Sequence, residues 1–149
     1  MIMLKIEGIP GTSDVPGHIG ALPLHNYAWE LAREPGAVPQ FQQLVVQKHA
    51  GISGSPLWLH TANGRVIDSM ILSVIQTDGD IFQEYLTIEF TRVSVRGFSE
   101  THNDDERPMQ TISFDYGTIK TTFRVFDGHG KVVGTYISGW DLVREPISK

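Results

Sequence analysis

Apolar residues recur at every second position over most of this chain, and that period constrains its fold more than any other feature. Side chains of an extended strand alternate between two faces, so a period of two marks strands with one buried side. At the start, Ile2, Leu4 and Ile6 share one face, and Met3, Lys5 and Glu7 share the other. The same rhythm predicts strands over about 22–31, 41–48, 66–77, 82–95, 109–116, 119–126 and 132–137. In the segment 66–77, Val66, Met70, Leu72 and Val74 fall on one side. In 82–95, Phe82, Leu86, Ile88 and Phe90 face one way, and Gln83, Tyr85, Thr87, Glu89 and Thr91 the other. Asp78-Gly79 and Asp127-Gly-His-Gly130 are turn signals. The stretches 8–20, 33–39 and 100–108 are rich in Gly, Pro or charge and read as loops.

One segment departs from the rhythm. Ser55-Pro-Leu-Trp-Leu-His-Thr-Ala-Asn-Gly64 reads as a single short helix. Ser55 suits the N-cap, Pro56 the first helical position, and Gly64 a left-handed ending. Such a helix is too short to stand alone. Leu57, Trp58 and Leu59 are therefore expected to dock it on the sheet. The expected fold is mainly β: a closed or nearly closed β-barrel of two packed antiparallel sheets, with one short α-helix docked on it. Its 149 residues suit a single domain over 1–149.

Several function classes drop out on residue content. Cysteine is absent, which removes disulfides, thiolate zinc sites and a cysteine nucleophile, and fits folding in a reducing cytoplasm. The 12 Lys and Arg are scattered in a chain of net charge −5, so no nucleic-acid partner is expected. No apolar run approaches the ~18 residues of a membrane helix, so no stable membrane insertion is expected. The first residues alternate, and no small-residue cleavage site follows them. No Sec-type signal peptide is expected, and export would need a dedicated machine. Of the six histidines, no two stand at the local spacing of zinc ligands. His102, Asp104, Asp105 and Glu106 lack the glycine and spacing of a calcium loop and read as a solvated acidic loop. Ser53 sits between glycines but not in a Gly-x-Ser-x-Gly elbow. No residue is assigned as catalytic, cofactor-binding or metal-binding, no cofactor is expected, and the chain is not expected to be an enzyme. The face carrying Gln83, Tyr85, Thr87 and Thr91 reads as a wet or interface face, or equally as an ordinary solvated one.

The ordered set of segments resembles the hemolysin-coregulated protein (Hcp) family of type VI secretion. Met3-Leu-Lys-Ile-Glu-Gly-Ile-Pro-Gly11 resembles that family's first strand and turn. Tyr27-Ala-Trp29 and Phe41-Gln-Gln-Leu-Val-Val-Gln-Lys-His49 resemble its next strands. Ser55-Pro-Leu-Trp-Leu59 with Ala62-Asn-Gly64 resembles its helix. Gln83-Glu-Tyr-Leu-Thr-Ile-Glu-Phe90, Val93-Ser-Val95, Ile112-Ser-Phe-Asp-Tyr-Gly-Thr-Ile-Lys120 and Gly139-Trp-Asp-Leu142 resemble the later strands and the C-terminal ending. The segment 33–40 is shorter than the family's extended loop, and the Lys-x-x-Asp-Lys signature before the helix is missing.

The resemblance implies a structural tube protein that forms hexameric rings. Those rings would stack into a secreted inner tube and carry effectors in the lumen. Its partners would be copies of itself and the spike, sheath and baseplate proteins. It would reside in the bacterial cytoplasm until expelled through the apparatus. Arg33, Glu34, Pro35, Gly36, Ala37, Val38, Pro39 and Gln40 would form the ring-stacking and subunit-interface loop. Ala28, Gln83, Tyr85, Thr87 and Thr91 would face the lumen or an interface. Two other readings stay open: a phage-type tail tube protein, and a monomeric β-barrel binding a small molecule or sugar on Trp29, Trp58 and Trp140.

Overall fold

The structure, a computed structural model, describes residues 1–142. Eleven strands and one helix follow in the order β1 (Ile2–Ile6), β2 (Leu22–Leu24), β3 (Asn26–Ala28), β4 (Leu31–Ala32), β5 (Gln40–Phe41), β6 (Leu44–His49), α1 (Gly54–Asn63), β7 (Val66–Asp78), β8 (Ile81–Thr101), β9 (Met109–Asp115), β10 (Thr118–Phe126) and β11 (Val132–Asp141). The mainly β class holds, and among the described residues there is one helix, as expected. The segment expected as one strand over 22–31 is divided into β2, β3 and β4. β8 runs on to Thr101 through a register shift between Val95 and Gly97, into residues expected as loop.

Nine strands make one sheet, seven of them along the path β2-β1-β7-β8-β9-β6-β3 with β10 and β11 branching from β8, and every pairing along the path is antiparallel. β8 is long enough to serve two partners on one edge: Leu86–Thr91 pair with β10, and Ser94–Thr101 with β9. β11 pairs with β10, and β4 and β5 form a separate two-stranded ribbon. Two sheets are present, but the closed or nearly closed barrel expected of them is not borne out. Among the described residues no sheet closes on itself, and the strand path is open from β2 to β3. Those end strands are joined through His25, whose amide donates to the Gln47 carbonyl at 2.7 Å.

Leu4, Ile6, Leu44, Val46, Met70, Leu72, Ile88, Phe90, Ile112 and Phe114 fill the main core, in the alternation the sequence shows. The alternation changes phase at Arg92, whose φ of 53° is unusual for a residue other than glycine. Inward positions before it are Ile88 and Phe90, and after it Val93 and Val95. β7 changes phase opposite, so Ile67 is buried and Val66, expected in the core, is exposed. Phe82 is exposed as well, beyond a register shift at Val74/Ile75 and near the hairpin tip. The segment 8–20, expected as plain loop, brings Val15 onto a second small cluster of Met3, Ala21 and Ile75. Its backbone is tied by Gly11 N–H to Gly20 O at 2.9 Å and Ser13 N–H to Ala21 O at 3.0 Å. A Cβ at Gly11 would stand 2.2 Å from Ala21 O, so only glycine fits there.

α1 starts two residues earlier than expected, with Ser53 as its N-cap and Pro56 inside the first turn. Gly64 ends it in the left-handed region as expected, with φ 69° and its N–H on His60 O at 3.0 Å. The docking expectation needs correction. Leu57 is 0% exposed, whereas Trp58 and Leu59 are 50% and 49% exposed. Successive helical residues are about 100° apart around the axis. Three in a row cannot all face the sheet, and Leu57 takes that position.

Candidate functional site

Pairing register carries the second face of β8 across four neighbours. Lys5, Ile71, Glu89, Lys120 and Gly139 stand in one row over β1, β7, β8, β10 and β11. Met3, Ser73, Thr87, Thr122 and Ile137 stand in the next. The face is polar and internally bonded. Arg124 Nη1 donates to Thr87 Oγ1 at 2.8 Å and to Glu84 O at 3.4 Å. The Glu84 carboxylate accepts from Thr87 and lies 3.1 Å from His18 Nε2. Lys120 Nζ lies 3.7 Å from Glu89 Oε2. The Thr91 and Thr118 hydroxyls bond each other. Ion pairs this open to solvent add little stability, so they set the character of the face more than its strength.

Thr87 and Thr91, expected on a lumen or interface face, lie together here. Gln83 lies further out, toward the β7–β8 hairpin tip, paired with Gln76. Tyr85 falls at the register shift, packs against the main core, and meets the Phe123 ring edge-on at 5.9 Å. Ala28 is on β3, paired with Val45, three strands along the path from β8. Lys5, Ile71, Lys120, Thr122 and Arg124 were not singled out from the sequence. Their signal was the polar phase of their own strands, which becomes one surface only when the pairings are known.

The other notable surface is the sheet edge. Among the described residues β11 pairs with β10 alone. Val133, Tyr136, Ile137 and Trp140 on β11 are exposed, as are Phe123 and Val125 on β10. Tyr136 stands opposite Phe123, and Trp140 opposite Ile119. Trp140 also reaches the β4–β5 ribbon, with its ring 6.4 Å from that of Phe41. Trp29 and Trp140 line one small cleft of about 190 Å³ with Leu31, Phe41 and Ile119. Trp58 is not in it, so the three tryptophans form no common platform there.

Arg33 to Pro39 connect the two strands of the ribbon. Ala37 N–H donates to Glu34 O at 3.0 Å, closing a turn with Pro35 and Gly36 at its centre. Gly36 has φ 79°, and Pro followed by Gly is the pair such a turn favours. Residues 33–38 are all exposed, and Gln40 lies in β5.

Under this edge, Tyr116 donates its hydroxyl to Gln42 O at 2.7 Å and packs edge-on against Phe90 at 5.0 Å. Burial, and then the Asp115 charge, push its phenol up to about 12 from 10.0. The fold thus favours the neutral phenol. Its contribution should be complete below about pH 10 and lost as pH rises through about 12. Chemical denaturation at a series of alkaline pH values should show that decline. Tyr116→Phe should flatten it, and an unchanged slope would disprove the assignment.

Among the described residues the scaffold is strand-rich and ends in a long exposed edge strand, whose unpaired side is open to further pairing. Comparison with known proteins then gives the family. Residues 3–123 match the family described as "Type VI secretion system effector, Hcp". The chain belongs to this Hcp family. No curated protein sequence matches it. Solved structures that share its fold at low identity include the following three. Hcp1 from Salmonella typhimurium is 24% identical with a TM-score of 0.84, over 97% of this chain and 95% of that one. A structure described as a type six secretion system protein is 23% identical with a TM-score of 0.85, over 97% and 96%. A type VI secretion system effector from Yersinia pestis is 19% identical with a TM-score of 0.82, over 95% and 99%. Family membership supports a tube protein of type VI secretion.

Proposed function

We propose that this chain forms hexameric rings that stack into the inner tube of a type VI secretion system, with effectors carried in the lumen. The observation that carries the reading is the β11 edge. An exposed, ten-residue, largely apolar edge strand is a template for uncontrolled pairing in a lone protomer. In a ring, each edge is covered by the next subunit, and closure of the rotation ends the series without fibres. The polar face with Thr87 and Thr91 then borders the lumen, with Gln83, Tyr85 and Ala28 at its margins or at the subunit interface. The exposed turn of Arg33–Gln40 reaches the neighbouring ring. Spike, sheath and baseplate proteins are the partners, and the protein leaves the cytoplasm through the apparatus itself.

Light scattering on purified protein should return a mass of about six protomers. A clean monomer at micromolar concentration would overturn the reading. Replacing Glu34 to Val38 with a Gly-Ser linker should leave ring mass and melting temperature unchanged, because these side chains are exposed. The tubes should shorten in electron micrographs, because Pro35 and the turn no longer preorganise the contact. Tubes of full length would move stacking to another surface.

A further inference from the structure

A cavity of about 260 Å³ opens where the end of β6, the start of α1 and β2 meet, away from the surfaces described above. Lys48 is its most unusual lining residue. It keeps phase with Leu44 and Val46 and so points inward, where it is 3% exposed. Its Nζ donates to Gln110 Oε1 at 2.8 Å and to His49 O at 3.1 Å. Gln110 Nε2 in turn donates to Glu100 Oε1 at 2.8 Å. Burial and then the positive charge of Arg107 lower the Lys48 pKa, while Glu100 opposes them. Two cations thus line one cavity, and the Glu100 carboxylate is joined to Lys48 through the Gln110 amide. Like charges so placed gain from an anion between them.

Two further donors lie in the same wall. Ser53 is 3% exposed and starts α1, yet its hydroxyl makes no capping bond to the first turn. That hydroxyl is not used by the helix, and it lines the cavity at the helix end where the backbone dipole favours negative charge. Arg107 Nη2 donates to Ala50 O at 2.7 Å, which leaves its other N–H groups for another acceptor. His25 and His49 also line the cavity, with ring centroids 6.2 Å apart. The remaining wall includes Leu22, Leu24 and Ile52, which is apolar. A cavity of this size with cationic donors on one wall and aliphatic side chains on another suits a charged head with a short apolar body.

We propose that this cavity binds a carboxylate, its oxygens held by Lys48, Arg107 and Ser53 and its aliphatic part lying against Leu22, Leu24 and Ile52. The carboxylate can come from a free short-chain acid or from an acidic side chain of another protein, and the two sources are separable.

The test is isothermal titration calorimetry on the assembled protein at constant ionic strength, with three probes. Sodium butyrate stands for the free acid, acetyl-Gly-Glu-Gly-amide for a protein-borne carboxylate, and butyramide for the uncharged control. Saturable binding of butyrate, with or without the peptide, supports the proposal with a free acid as ligand. Saturable binding of the peptide alone supports it with a protein carboxylate as ligand. In either case Arg107→Gln and Ser53→Ala should each weaken binding, Arg107→Gln by about tenfold, the effect of losing one hydrogen bond to a charged group. Both variants spare the Lys48–Gln110–Glu100 chain, so they can be read even if Lys48→Met fails to fold. The proposal is overturned if neither anion binds saturably, if butyramide binds as well as butyrate, or if both variants bind like the wild type.

Discussion

Leu57→Ala should lower the melting temperature by roughly 5–15 °C, while Trp58→Ala, one residue on, should move it by no more than about 2 °C. The contrast follows from how α1 lies on the sheet. Leu57 is completely buried and belongs to the main core with Leu44, Val93 and Phe114. Truncating a buried leucine removes its transfer energy and leaves a cavity, together about 2–5 kcal/mol. That is a large share of the ~5–15 kcal/mol by which a domain is stable. Trp58 is the larger residue, and burial would make its loss the costlier one, but half its surface already meets solvent. Circular dichroism melts of the two variants check this directly. Equal losses would show that the helix is rolled so that Trp58 also reaches the sheet.

The strands were legible because their signal is local. Leu44 and Val46, or Ile112 and Phe114, identify an inward face without reference to any partner. What the sequence hid depends on pairing. The phase change at Arg92 lies within an unbroken run of strand-forming residues, so extrapolating the period put Val66 inside and missed Ile67. The cluster of Met3, Val15, Ala21 and Ile75 draws on three separate segments, and no period links them. The helix start was misplaced because Ser53 and Ser55 both suit a cap, and Pro56 is tolerated inside the first turn as well as at its first position. The polar face of Thr87 was half legible: β8 shows its own alternation, but Lys5, Ile71 and Lys120 join it only through register. Lys48 and Gln110 were readable and were passed over. Each continues an apolar phase, after Leu44-x-Val46 and before Ile112-x-Phe114, and a polar residue in that phase is the sequence mark of a buried polar contact.

Tyr136→Glu should reduce the assembly to single protomers, whereas Ile137→Glu should leave it intact. The two residues are neighbours on β11 and are 66% and 59% exposed, so exposure alone does not separate them. Their surroundings do. Tyr136 pairs with Phe123 and shares its face with Trp140, which packs beside the ribbon residue Phe41, in a mostly apolar surface that bears no charge and is interrupted only by the Thr121–Ser138 pair. Ile137 pairs with Thr122 on the face of Thr87, Lys120 and Arg124, which is polar and bears charge already. If a neighbouring subunit covers the apolar side of β11, a carboxylate at 136 is buried there without a partner, at a cost of several kcal/mol in each of the interfaces around the ring. A carboxylate at 137 would stay in water on the polar face. Both positions lie on an edge strand with little of their side chains buried, so both variants should fold, and circular dichroism should confirm it. Light scattering then decides. An intact assembly with Glu at 136 would show that the neighbour does not use this side of the edge. Loss of the assembly with Glu at 137 alone would reverse the assignment, placing the subunit contact on the polar face and the lumen on the aromatic one.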